Sequence, residues 1–221
     1  LLSEENIEVT KDNKEISSMH YVIKILNERG KENASEAAIE YDSTFEKVDL
    51  EYARTVKPDG SVVEVGSKHI RDVTKYMNFP LYSNVKIFII SFPEIAVGAV
   101  IEYKVKVTGN KLINDKHFIS LYAVQNDEPV LSADFNVKLP KDRQLNLKQA
   151  NIEYNNFSAK LEPNIIADKD TVVYNWKFKN IPQIIPEVAM PSASKIDPMV
   201  IMSTFGSWQE IYGWWWNLAK D

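Results

Sequence analysis

The stretch VKIFIISFPEIAVGAVIEYKVKV, Val85 to Val107, decides the fold class. In an extended chain, side chains alternate between two faces. Val85, Ile87 and Ile89 therefore share one face, and Phe88, Ile90 and Phe92 share the other. A strand apolar on both sides belongs in the interior of a sheet. Beyond the connection marked by Pro93 and Gly98, Ile101, Tyr103, Val105 and Val107 alternate with Glu102, Lys104 and Lys106. That is a strand with one buried and one wet face. The two runs are expected to lie side by side.

The same period extends outward in both directions. Met19 to Leu26 is rich in β-branched and aromatic residues and closes on the turn-prone Asn27-Glu28-Arg29-Gly30, and a second run covers Ala37 to Tyr41. Val48, Leu50, Tyr52 and Val56 alternate with Asp49, Glu51, Ala53 and Thr55, and Arg54 breaks the buried register. Lys57-Pro58-Asp59-Gly60 has turn chemistry, with Pro fixing one φ and Gly accepting a positive one, so a hairpin to Val62, Val63 and Val65 follows. Residues 66–84 read as a polar surface loop with a short element at Ile70 to Val73. Leu131, Ala133, Phe135, Val137 and Leu139 make another half-buried strand, and Val172, Tyr174, Trp176 and Phe178 one more. Strands recurring at short spacing predict an all-β chain, a large antiparallel β-sandwich with one C-terminal helix. No linker divides it before residue 180, so one large β domain or two closely packed β layers is the economical arrangement. The domain reading is residues 1–206 as the sandwich and 207–221 as a connector helix.

That helix is SWQEIYGWWWNLAKD. Ser207 and Glu210 have capping-box spacing, each able to satisfy a backbone N–H free at the helix start. At roughly 100° per residue, Trp208, Ile211, Tyr212, Trp215, Leu218 and Ala219 form one stripe, with Trp214 and Trp216 on its flanks. The apolar arc reaches roughly 200°, about twice what a helix on one core needs. Trp208, Trp214, Trp215 and Trp216 are therefore candidate partner-interface residues. Burial of Trp208, Ile211, Trp215 and Leu218 against the sandwich is expected, with Trp214 or Trp216 left exposed.

Composition narrows the function classes. A net charge of −5 with both signs interspersed gives no electrostatic footprint for nucleic acid. There is no cysteine, which rules out disulfides, thiolate zinc sites and a cysteine nucleophile within the chain. No apolar run is long enough for a membrane-spanning helix. The three histidines, His20, His69 and His117, lack the spacing of a metal-ligand pair and read as surface or strand histidines. Asp168-Lys169-Asp170 and Asn126-Asp127-Glu128 read as solvated turns. No phosphate loop or nucleophile elbow is present, and neither catalytic residues nor a cofactor are expected. A first residue other than Met suggests an excised or processed chain.

Five stretches in order, KPDGSVVEV, ISFPEIAVGAVIEYKVKV, DEPVLSADFNVKLP, YNWKFKNIPQIIPEVAMP and SWQEIYGWWWNL, resemble a bacterial family. It is the domain of unknown function found N-terminal to transglutaminase-like domains in envelope proteins, often from Bacteroidetes. The resemblance implies a non-enzymatic accessory β-sandwich, periplasmic or envelope-bound. Its partner would be the C-terminal transglutaminase-like domain of the same polypeptide, with papain-like Cys-His-Asp chemistry confined to that domain. Gly98, Glu102, Trp176, Pro182, Glu187, Pro191 and Trp208 match motif positions and take structural roles. The Glu187 carboxylate is expected to cap backbone N–H groups or pair with a cation. An independent carbohydrate- or peptide-binding sandwich is the alternative function.

Overall fold

The computed structural model describes residues 1–76, 84–125 and 127–220. The fold is all-β, built of antiparallel sheets with one C-terminal helix longer than two turns. The chain divides into two compact units: Leu1–Ile7 with Ile16–Asn110, and Glu8–Glu15 with Lys111–Asp221.

The first unit holds β1 (Leu2–Val9, its first part), β2 (Glu15–Lys24), α1 (Glu28–Asn33), β3 (Glu36–Asp42), β4 (Glu46–Val56), β5 (Val62–Glu64), β6 (Ile70–Thr74), β7 (Val85–Ser91) and β8 (Val100–Gly109). Five of these strands line up as β1-β2-β8-β4-β5 and three as β3-β7-β6. Ala53, Ile101 and Val105 from the larger sheet and Ile90 from the smaller share one buried cluster with Phe92. The unit is thus two antiparallel layers closing on a single apolar core.

The strand apolar on both faces is β7, and it does occupy the centre of its sheet, paired with β3 and β6. The expectation that it lies beside β8 fails: β8 pairs with β4 in the other sheet. Alternation reveals which side chains are buried together. It carries no information on which strand supplies the hydrogen bonds. Here the connection Pro93–Gly98 passes the chain from one layer to the other. Gly98 adopts φ +90, donates its N–H to Ile25 O at 2.8 Å, and has room for only a tight Cβ, 3.4 Å from Pro58 Cγ. The β4–β5 hairpin forms as read, with Gly60 at φ +83 and Lys57 N–H bonded to Ser61 O. The element at Ile70 to Val73 is β6, while 77–83 of the expected surrounding loop lie outside the described residues. The turn after β2 is a short helix instead, because Asn27 Oδ1 accepts the Gly30 N–H at 2.8 Å and caps it.

The second unit holds β9 (Ile119–Ala123), β10 (Val130–Pro140), β11 (Asn146–Ala150), β12 (Asn164–Ala167), β13 (Thr171–Ile181), α2 (Ala193–Ile196), β14 (Met199–Ser203) and α3 (Trp208–Ala219). Its sheets run β12-β13-β10 and β11-β14-β9. Ala133, Phe135, Val137 and Leu139 are buried as their alternation predicts, opposite Trp176 and Phe178 of β13. Leu131, at the start of the same run, is exposed. Tyr122 of the other sheet stacks on Phe135 at 4.2 Å, joining the two layers. Trp176 is 1% exposed, and its indole N–H reaches Leu161 O at 2.8 Å, so the polar end of the largest core side chain is satisfied.

Candidate functional site

Two surfaces stand out, one in each unit. The first is a polar cluster on the outer face of β2, β8 and β4. On β8, Ile101 and Val105 point into the core, so Glu102 faces outward. On β4, Val48 and Leu50 pack inward, as do Ala53 and Thr55. Both pairs can do so because the register slips between Leu50 and Tyr52: Leu50 pairs with Val105 and Tyr52 with Lys104, leaving Glu51 as an extra residue. This β-bulge reverses the expected assignment of faces. Tyr52 belongs to the outer face and Ala53 and Thr55 to the core. Arg54, which had looked like a break in the pattern, sits directly opposite Glu102.

Glu102 accepts hydrogen bonds from three side chains. Arg54 Nε and Nη2 lie 2.8 and 2.7 Å from Oε2; His20 Nε2 and the Tyr52 hydroxyl lie 2.9 and 3.0 Å from Oε1. Burial pushes the Glu102 carboxyl up, but the bonds from Arg54, His20 and Tyr52 outweigh it and hold the group below its ordinary value. The Tyr52 phenol is raised, by burial and then by the adjacent carboxylate. A carboxylate held ionised, with both oxygens engaged, has no lone pair poised to take a proton from a substrate. The cluster is a clamp across three strands.

The second surface is α3. Ser207 is its N-cap and accepts the Glu210 N–H at 3.3 Å, while the Glu210 carboxylate accepts the Gly206 N–H at 2.8 Å. The capping box therefore forms, with its return bond one residue earlier than usual. Phe205, just before the cap, is buried, stacks on His117 at 4.0 Å and lies 6.4 Å from the Trp214 ring. His117 is itself a buried loop residue, with Nδ1 3.1 Å from Thr204 O.

The buried side of α3 differs from the one expected. Ile211 and Trp214 are half-buried, whereas Trp208 is 81% exposed, Trp215 63% and Leu218 65%. The wide apolar arc had no unique centre, and the position of Phe205 selects its Trp214 edge for contact. Leu218, one turn beyond Trp214 on the same line, is exposed, so the contact ends within the first two turns. Trp216 is exposed, as one of the flanking tryptophans was expected to be. Trp208, Tyr212, Trp215 and Trp216 make an aromatic face in water, with the Tyr212 and Trp216 rings stacked at 6.2 Å.

The remaining motif positions are scattered. Pro182 O accepts the Gln125 side-chain amide at 3.0 Å, and Pro191 is exposed. The Glu187 carboxylate is exposed and has no partner among the described residues; only its backbone carbonyl is used, closing a turn with the Met190 N–H. The expectation of a capping or paired Glu187 fails because Ile185, Val188 and their neighbours are solvent-exposed, so nothing desolvates the carboxylate. Among the described residues, no group of three or more His, Cys, Asp or Glu is placed to hold a metal ion. No described helix is long and apolar enough to cross a membrane.

The chain is thus all-β, two antiparallel units with a saturated clamp on one and an exposed aromatic helix on the other. Residues 11–185 match a family described as a Domain of Unknown Function with solved-structure structure, DUF3857, and the chain belongs to it. The fold is similar to that of a protein from Parabacteroides distasonis whose structure is described as a "putative protease". The TM-score is 0.82 at 15% identity, over 93% of this chain and 40% of the other. The chain thus spans less than half the length of that protein. No curated protein matches it.

Proposed function

We propose that this chain is a non-catalytic accessory module of a periplasmic, transglutaminase-like or cysteine-protease-like envelope protein. It positions the catalytic domain that follows it, or that domain's substrate. The observation that carries this reading is the aromatic face of α3, Trp208, Tyr212, Trp215 and Trp216, left in water on a well-capped helix. Exposed aromatic groups of this size next to one another are the usual mark of a docking surface. The absence of any cysteine agrees with chemistry carried elsewhere. So does the longer, protease-described protein of similar fold.

The test compares this chain with the longer polypeptide by hydrogen exchange and by acrylamide quenching of tryptophan. Docking of the following domain should protect α3 and shield Trp215 and Trp216. The chain alone should turn over neither a peptide nor a glutamine amide. Equal quenching in the two forms, or hydrolysis by the chain alone, overturns the reading. If α3 is unchanged but the lone chain binds glycans or peptides through its aromatic face, the independent binding-domain function takes its place.

A further inference from the structure

β12, Asn164–Ala167, stands at the end of its sheet and is paired on one side only, with β13. Where the two strands join, the Asp168 N–H bonds to Thr171 O at 2.9 Å. In an antiparallel pair, successive residues turn their backbone groups to opposite sides. Counting back from Asp168, Ile166 and Asn164 therefore bond to β13, while Ile165 and Ala167 point their N–H and C=O groups out of the sheet. All four side chains are exposed, Ile165 by 56% and Ile166 by 55%. Sheet edges are commonly guarded by charge. The edge strands β3, β5, β6 and β11 carry Glu36, Glu64, Arg71 and Lys148 respectively. β9 has no charged residue, but its Ser120 and Tyr122 are half-buried. β12 has none and is open on both faces.

We propose that β12 is a self-recognition edge, taken by the β12 of a second copy of this chain in an antiparallel pair. Only outward-facing residues exchange ladder bonds, so Ile165 and Ala167 must meet the same two residues of the partner. Setting Ile165 against the partner's Ala167 bonds every outward N–H and C=O of both strands. The same register sets Ile166 against the partner's Ile166, and Asn164 against the partner's Asp168. An apolar pair is then flanked by two amide–carboxylate pairs. Among the described residues the Asn164 side chain has no partner, and the Asp168 carboxylate holds only the Lys169 N–H. The neighbouring registers fail. Ile165 against the partner's Ile165 sets Ala167 against Pro163, which has no N–H, and Asn164 against Ile166. Ala167 against the partner's Ala167 sets Ile166 against Asp168. Glu162 and Asp170 approach across the ends of the favoured pair, each already held, by Gln149 and Lys11. Complementarity of the edge to itself in one register is what selects a second copy as occupant, about a twofold axis at Ile166. The edge makes no use of α3 and stands apart from the accessory reading.

The experiment follows the whole chain by sedimentation equilibrium from micromolar to millimolar concentration. A reversible dimer with a Kd on the order of 100 μM is expected, since one short strand pair buries less than a standard interface. Ile166→Lys sets like charges against each other at the axis and should weaken association about tenfold. Ala167→Pro removes an outward N–H, leaves the bonds to β13 in place, and should weaken it similarly. Both positions are exposed on an edge, and circular dichroism checks that each variant folds. Oxidation then reads the register. The chain has no cysteine, so a single introduced one forms a disulfide only between copies. Ile166→Cys should cross-link, because directly opposed Cβ atoms lie about 5 Å apart. Asn164→Cys should not, because the partner's Asp168, not its Asn164, stands opposite. A chain that stays monomeric at millimolar concentration overturns the proposal. So does a dimer whose affinity is unchanged in Ile166→Lys and Ala167→Pro, or one that cross-links equally through both positions. If the lone chain is monomeric and the β12 amides are protected in the longer polypeptide, another segment of that polypeptide holds the edge instead.

Discussion

Arg54 and Glu102 face each other as cross-strand partners, with guanidinium Nη2 2.7 Å from Glu102 Oε2, and one extra residue in β4 puts them on the same face. Without the bulge at Glu51, the alternation that buries Val48 and Leu50 would carry Tyr52 into the core and leave Ala53 outside. The polar clamp is therefore a consequence of register, and the sheet's outer face gains three strands tied through one carboxylate.

Replacing Glu102 with Gln tests the clamp. The amide keeps the shape but not the charge, leaving Arg54 without its counter-ion. Arg54 is 40% exposed, so solvent screening reduces the loss. The expected cost is about 1–2 kcal/mol at pH 7, read from urea midpoints. The sign with pH follows from the depressed Glu102 carboxyl. Its stabilisation is complete above the unfolded value of 4.5 and is lost as pH falls through the lower folded value. The gap between wild type and variant should shrink between pH 5 and pH 3. A gap constant over that range contradicts the clamp.

Asp197 should respond in the opposite sense. Burial, and then the charge of Asp127, outweigh the Gln125 N–H and push its carboxyl from 3.8 up to about 6. A raised folded value favours the protonated form, so its relative stabilisation is full below pH 3.8 and gone once pH rises past about 6. Asp197→Asn should therefore raise the midpoint at pH 7.5, by up to about 3 kcal/mol, the equivalent of a two-unit shift. The advantage should vanish below pH 4. A variant less stable than wild type at pH 7.5 would show that the buried carboxylate supports the fold.

The sequence exposed faces more readily than neighbours. Leu131 to Leu139 and Val172 to Phe178 read correctly as strands because their apolar residues alternate in one phase, which the buried side chains keep from Ala133 to Leu139 and at Trp176 and Phe178, and the central place of β7 followed from apolar residues on both its sides. The pairing of β7 was hidden because hydrogen bonds to β3 and β6 form through the backbone, which every residue shares. The clamp was hidden by a phase change of one residue. Its visible trace was the conflict in β4, where Leu50 and Ala53 both suit a core but lie three apart. Asp197 gave little warning beyond its setting in KIDPMVIM, a carboxylate beside an apolar run. On α3 the cap was legible because it is local, whereas the edge that is buried depended on where Phe205 lies.

Trp176 should be the least replaceable of the tryptophans. Trp176→Phe keeps a ring against Phe135 but removes the donor to Leu161 O, within a residue only 4% exposed. An unpaired buried carbonyl and a small void together predict a loss of about 2–4 kcal/mol. A thermal or urea midpoint within error of wild type would show that water reaches Leu161 O.

The tryptophans of α3 should separate into two kinds. Trp214 is half-buried beside Phe205, while Trp215, the next residue, is rotated about 100° away and 63% exposed. Trp214→Ser removes a ring from a partial contact and should destabilise the chain by about 1–2 kcal/mol, below the range for emptying a full core site. Trp215→Ser removes a ring mostly surrounded by water, and its effect should stay within about 0.5 kcal/mol. In the longer protein the ranking should reverse for docking: Trp215→Ser weakens protection of α3 by the following domain, and Trp214→Ser does so only through the stability it removes. The two effects are separated by measuring hydrogen exchange in α3 at equal distance from each variant's unfolding midpoint. If Trp215→Ser costs the lone chain as much as Trp214→Ser, the aromatic face is packed in solution. The docking surface would then have to be sought elsewhere on the molecule.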